Sequence, residues 1–258
     1  MPHREKTPEQ IEHDRICREM HLQMIRDFKN TENKEEIPTV DLLALLFSFS
    51  MRKCDYKEQA EAMLKRYGSL VSFLDMPYDS MMLEPSIRLN TALMLKGIPA
   101  IIQKKMLAER PKRKRIKTPQ DAELYLKPFF IGSTFEQAYL LILSDQYYPK
   151  DVVKLGEGLS NEVFISPRVI LREMLMHDSS KAILAHSHPG GEAMASKNDK
   201  IATLEVANTL APLHIQLLDH LIFTKRECIY LSDDEEMDNT VLAFSKREYV
   251  SIFKKDKK

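Results

Sequence analysis

Lys181-Ala182-Ile183-Leu184-Ala185 runs apolar into His186-Ser187-His188 and stops at Pro189-Gly190-Gly191. A short apolar run bounded by polar residues reads as a buried strand. Residues two apart on a strand share a face, so His186 and His188 stand side by side at its end. The proline and glycines forbid continuation and open a loop. Ser196-Lys197-Asn198-Asp199, followed by Ile201, Leu204, Val206 and Leu210, then starts a helix, and the loop can fold Asp199 back toward the imidazoles. Two neutral imidazoles and one carboxylate are a three-ligand set typical of catalytic zinc, which leaves the fourth tetrahedral position for water.

Taken singly, these residues have ordinary roles. A histidine at a strand end is usually a polar residue near a surface, and Ser-x-x-Asp before an apolar helix is a capping box. The capping and metal roles are compatible, because a serine at a helix start is held rigidly and an acid in the first turn is favoured by the helix dipole. The conjunction of all four favours a metal site. Other patterns fit worse. His-x-Glu with a later Pro-Cys-x-x-Cys is missing, as are His-Glu-x-x-His, Cys-x-x-Cys, a Gly-x-Ser-x-Gly elbow and a phosphate-binding Gly-x-x-x-x-Gly-Lys. His-x-His also opens amidohydrolase barrels, but near the start of a long barrel, and here only about seventy residues follow it.

The chain of 258 residues can build one sizeable core or two modest domains. Its 38 basic residues balance 38 acidic ones, so overall charge predicts no polyanion partner. Cys17, Cys54 and Cys228 are odd in number and far apart, which implies no disulfide framework. The charged start Met1-Pro2-His3-Arg4-Glu5-Lys6 lacks the apolar centre of a signal peptide, and runs such as Leu42 to Phe47 are too short to span a membrane. The expected setting is reducing, soluble and cytoplasmic.

Along the chain the expected class is α/β (α+β), a helical N-terminal part followed by a mixed sheet flanked by helices. Residues 1–36 form a helical extension in which Ile11, Ile16, Met20, Met24, Ile25 and Phe28 recur at helical spacing. Residues 37–109 read as all helical: Val40 to Phe49, Lys57 to Tyr67 with a Gly68 stop before Ser69-Leu70, and Leu89 to Leu107, broken or bent near Gly97 and Pro99. Residues 110–117, opening Arg110-Pro111-Lys112-Arg113-Lys114-Arg115, form a solvated basic linker. In 118–240 strands alternate with helices around Pro167 to Met176 and Asp199 to Leu210. Residues 241–258 are a tail.

His186-Ser187-His188-Pro189, with Ser196 and Asp199 at their distances, resembles the JAMM motif of JAB/MPN-domain metalloproteases, and Ala182 to Gly191 resembles the RadC branch of that family. Pro167 to Leu175 is similar to the RadC helix before the metal strand, and Leu217-Leu218-Asp219-His220-Leu221-Ile222 to the strand that follows. The resemblance covers roughly residues 116–235 and extends weakly toward the N-terminus. It implies a JAB/MPN-like fold in 118–240 and a RadC N-terminal domain in 37–109. It also implies Zn2+ held by His186, His188 and Asp199, with catalytic roles for Glu136 as general base and Ser196 as donor to the carbonyl oxygen. Glu136 precedes the apolar run Tyr139 to Leu143; Glu157, Glu162 and Glu192 are rivals for the base. The ligand types also suit iron, manganese or cobalt.

The implied function is a zinc-dependent metallopeptidase cutting a peptide or isopeptide bond in a peptide or protein substrate. The alternative is a non-catalytic accessory protein of DNA repair or recombination that uses the JAB domain as a binding module. Many relatives carry Gly-Ile-Gly, a helix-hairpin-helix turn whose amides can meet a phosphate, where this chain has Leu83-Glu84-Pro85-Ser86-Ile87. Proline lacks an amide and glutamate repels an anion, so this degenerate hairpin and the zero net charge both oppose a nucleic-acid partner. No membrane partner is expected, and oligomeric state is left open.

Overall fold

A computed structural model of the chain describes residues 6–51, 55–111, 114–158, 165–190, 194–225, 227–234, 237 and 242. The chain divides into two units, residues 1–99 and 100–258. Among the described residues no helix is long and apolar enough to cross a membrane.

The first unit is helical. Pro8–Asn30 (α1) starts at a capping box in which Thr7 and Gln10 satisfy each other's backbone N–H groups. Of its expected apolar stripe, Met24 packs on the unit's core while Ile11, Ile16 and Met20 stay exposed. Thr39–Ser50 (α2) and Tyr56–Tyr67 (α3) supply Leu43, Ala44, Phe47, Ala60 and Met63 to that core. Gly68 ends α3 in the left-handed region, φ 77°, where a side chain would be strained. Ser69 then caps Leu70–Asp75 (α4), accepting from Ser72 N. Tyr78–Met82 (α5) and Leu89–Glu109 (α6) follow.

Three expectations change here. α6 runs unbroken through Gly97 and Pro99. Proline forfeits one helical hydrogen bond, and burial of Thr91, Ala92, Leu95 and Pro99 on one face holds the helix together. Glu84, expected to oppose an anion at the degenerate turn, is instead buried, accepting from Arg66 Nη1 at 2.7 and 2.8 Å and from the Tyr67 hydroxyl. Cys17 is disulfide-bonded, a bridge the cysteine count did not imply, and that count no longer argues for a reducing setting.

The second unit is a five-stranded sheet between helices. After Pro119–Phe130 (α7) come strands Glu136–Leu143 (β1) and Pro149–Gly158 (β2), helix Pro167–Met176 (α8), and strand Lys181–His188 (β3). Helix Lys197–Leu210 (α9) and strands Gln216–Thr224 (β4) and Cys228–Tyr230 (β5) complete it. The order is β2-β1-β3-β4-β5. Only β3 and β4 pair in parallel among the described strands, joined by α9; β1/β2, β1/β3 and β4/β5 are antiparallel. The class is therefore α+β.

β3 lies mid-sheet with both faces covered, which is why Ala182 to Ala185 are continuously apolar. Ala182 and Leu184 join Ala138, Leu140 and Ile142 against Ile170 and Met174 of α8 and Val206 and Leu210 of α9. Ile183 and Ala185 join Leu141 and Leu143 against Ala122, Tyr125 and Leu126 of α7. Of the described part of the expected linker, Pro111, Lys114 and Lys117 are exposed, while Arg110 lies over the Tyr125 ring at 4.2 Å, Arg115 over Tyr148 at 5.1 Å, and Ile116 is buried. A planar guanidinium stacks on aromatic faces while keeping its charge. Leu242, from the expected tail, packs into the α8/α9 core; residues 241 and 243–258 lie outside the described residues.

Candidate metal centre

The alternation of β3 continues past its apolar part, so His186 and His188 follow Leu184 onto the face covered by α8 and α9, and Ser187 takes the other. Ser187 Oγ accepts from Gln137 N at 3.1 Å and so ties the strand end to β1. Ser196 is the N-cap of α9: its Oγ accepts from Asp199 N at 3.1 Å, and Asp199 Oδ2 accepts from Ser196 N at 2.7 Å. The expected capping box is present, and it aims the Asp199 carboxylate at the strand end.

There the three side chains meet. His186 Nε2 lies 2.9 Å from His188 Nε2 and 3.0 Å from Asp199 Oδ1, and His188 Nε2 lies 3.5 Å from Asp199 Oδ2. Donors at the corners of a tetrahedron with bonds of about 2.0–2.1 Å stand roughly 3.3 Å apart. The spacings fall on either side of that figure, with the two imidazoles facing different oxygens of the carboxylate, and one ligand atom from each of the three residues lies within 4.8 Å of the others, a set that could hold a metal ion. His186 is buried, and the other two are partly buried. Burial alone would raise the Asp199 carboxyl; the hydrogen bond and charge of His186, with the bonds from Ser196, outweigh it and hold the group well below the ordinary carboxylate range.

Residues 116–237 match the family described as the RadC-like JAB domain. This unit carries a RadC-like JAB domain.

Within the RadC-like JAB domain, Glu136 opens β1 and is partly buried. By strand alternation Glu136 falls on the same face of β1 as Ala138, whose pairing partner on β3 is His186. Glu157 pairs with Gln137, on the opposite face, and is bonded to Lys154. Glu162 and Glu192 lie outside the described residues.

Sequence reasoning missed two neighbours. His220 on β4 is fully buried with Nε2 2.7 Å from His186 Nδ1, and Thr203 on α9 meets the other ring nitrogen of His220 at 2.6 Å. Burial, with repulsion from His186, pushes His220 well below the ordinary histidine range. The available signal was Asp219-His220 inside an apolar strand, since such residues are seldom buried without partners.

Proposed function

We propose that the JAB domain is a zinc-dependent hydrolase that cleaves an amide bond, peptide or isopeptide, in a peptide or protein substrate. The observation that carries this reading is the convergence of His186 Nε2, His188 Nε2 and the Asp199 carboxylate, with one ligand atom of each within 4.8 Å of the others.

Zinc held by these residues would supply a Lewis acid and bring the pKa of a water toward about 7. Glu136, on the His188 face, would take the proton of the attacking water and return it to the leaving amine. The Ser196 hydroxyl accepts from Asp199 N through a lone pair, so its own proton is available to the carbonyl oxygen as charge develops there. Such a donor contributes on the order of 3 kcal/mol to the transition state. Asp199 would remain a carboxylate while binding the cation, because the helix cap that orients it also favours its charge.

Metal analysis together with amide hydrolysis tests the reading. The expected outcome is a stoichiometric ion in the wild type and in Glu136→Gln, with the rate of the variant lower by about 10²–10⁴-fold, and loss of the ion in His188→Ala. A purified wild type that takes up no divalent ion refutes the hydrolase, and a fully active Glu136→Gln rejects Glu136 as the base.

A further inference from the structure

β1 and β3 both run past the ladder that joins them. The last pair is Ala138↔His186, yet β1 begins two residues earlier, at Glu136, and β3 runs two residues on, to His188. Among the described residues each overhang is paired only on its outer side: Glu136 and Gln137 with Gly158 and Glu157 of β2, Ser187 and His188 with Phe223 and Thr224 of β4. A ladder holds neighbouring strands about 4.8 Å apart; where it stops, the backbone no longer imposes that spacing. Here a side chain takes over. Ser187 Oγ accepts from Gln137 N at 3.1 Å. The same oxygen lies 3.5 Å from the Phe135 carbonyl oxygen, which also accepts from Ser133 Oγ at 2.6 Å. Both neighbours of Glu136 in the chain therefore meet one hydroxyl. Ser187 is only 4% exposed, so water does not readily replace it as the partner of Gln137 N. Support from the far side is thin, because Glu136 meets β2 at Gly158, the last residue of that strand.

We infer that Ser187 is a positioning residue: through its hydroxyl it fixes the start of β1, and with it Glu136, against the end of β3 that carries His186 and His188. The tie itself rests on hydrogen-bond geometry; that it serves catalysis rests on the proposed function, in which Glu136 takes the proton of the attacking water. Strand alternation lets the segment 186–188 perform both tasks. Its two histidines share the face covered by α8 and α9, and Ser187 stands between them on the other face. The proposed base and the proposed ligands thus come from strands whose backbones are not paired at this end, and one side chain sets their separation. A misplacement of about 1 Å between reacting groups can cost on the order of 10²-fold in rate, which makes that side chain a determinant of turnover. Deleting the hydroxyl leaves Gln137 N without its acceptor and leaves both imidazoles intact.

The test uses the full chain and compares Ser187→Thr with Ser187→Val, which match in shape and differ in the hydroxyl, with Ser187→Ala as the smaller deletion. Amide hydrogen exchange followed by NMR on the metal-free protein reads the tie. Slow exchange at Gln137 is expected in the wild type and in Ser187→Thr. In Ser187→Val and Ser187→Ala it should be faster by about 10-fold, with Leu140 to Leu143 unchanged. Stoichiometric zinc is expected in every variant. Hydrolysis of a fluorescence-quenched peptide reads the consequence: the valine and alanine variants should lose about 10–100-fold in kcat at constant KM, and threonine should recover it. In a Glu136→Gln background Ser187→Ala should cost no further rate, because it acts through that residue. Fast exchange at Gln137 in the wild type, or wild-type exchange there in a folded Ser187→Ala, overturns the inference. An equal loss of rate with and without Glu136 does the same. Folding is checked by thermal melting, and if a deletion does not fold, exchange in the wild type and in Ser187→Thr decides. A wild type that takes up no ion, or leaves the peptide intact, counts against the proposed function, while exchange at Gln137 still decides the tie.

Discussion

In the proposed mechanism Ser196 would use one hydroxyl in two ways, and the two can be separated by substitution. Its lone pair caps α9 at Asp199 N, and its proton is the one proposed to meet the substrate carbonyl. Ser196→Ala removes both, and is expected to lower stability by about 1 kcal/mol and the rate by about 10²–10³-fold. Ser196→Gly restores most of the capping preference, at a cost of only a few tenths of a kcal/mol, and should leave the rate as low as in the alanine variant. Urea melts and initial rates on the pair check this. Equal stability of Gly and Ala variants would remove the capping role, and a normal rate in either would remove the donor role. The histidines, Ser196 and Asp199 were legible at this scale because types and spacings lie within one local segment. The contacts of His220 with His186 and Thr203 were not, because no local spacing ties either partner to the motif.

At the scale of elements, a one-residue slip in β4 decides which side chain joins the site. β3 and β4 pair as Ala182↔Leu217 and then Ile183↔Asp219, so Leu218 is an extra residue. Regular pairing would set Asp219 opposite Leu184, on the His186 face, and His220 behind it. The extra residue exchanges the two faces. Asp219 is thereby buried among apolar residues, where it accepts from the backbone N–H of His220 and from Ser232 N and Oγ. Burial, only partly opposed by the Ser232 bonds, pushes its carboxyl up to about 7.

Between its unfolded pKa of about 3.9 and the folded value, the native state holds a proton that the unfolded state has released. Stability must therefore fall as pH rises through that window and level off above about 7. Asp219→Asn keeps an amide oxygen for the two N–H groups and should abolish this slope, gaining on the wild type by roughly a few kcal/mol from pH 4 to 8. Urea midpoints across that range measure it, and parallel pH profiles would reject it. Sequence periodicity named β3, α8 and α9 correctly, but a period-two reading of β4 cannot contain a bulge that only pairing creates.

At the scale of the whole molecule, the cores are separate: α2, α3 and their neighbours enclose one, and the sheet with α7, α8 and α9 encloses the others. All the proposed site residues lie in the unit 100–258. Zinc at about a hundred times its dissociation constant would stabilise that unit by about 2.7 kcal/mol, or roughly 5–10 °C for a domain of this size. Calorimetry with zinc and with chelator should move the transition of this unit by that amount and leave that of the helical unit in place. Equal shifts in both would show that the units unfold as one.

The sequence by itself determined what proximity along the chain controls: a buried strand ending in two histidines, a loop forced by proline and glycine, a helix capped by Ser196 and Asp199, and helical segments before them. Each follows from local propensity and from the periods of helix and strand. The tertiary structure alone decided what depends on partners remote in sequence. It kept α6 whole across Pro99, gave Glu84 to Arg66 and Tyr67, stacked Arg110 and Arg115 on aromatic rings, and slipped β4 so that His220 faces His186. Those outcomes turn on burial and strand register, which are properties of the assembled core.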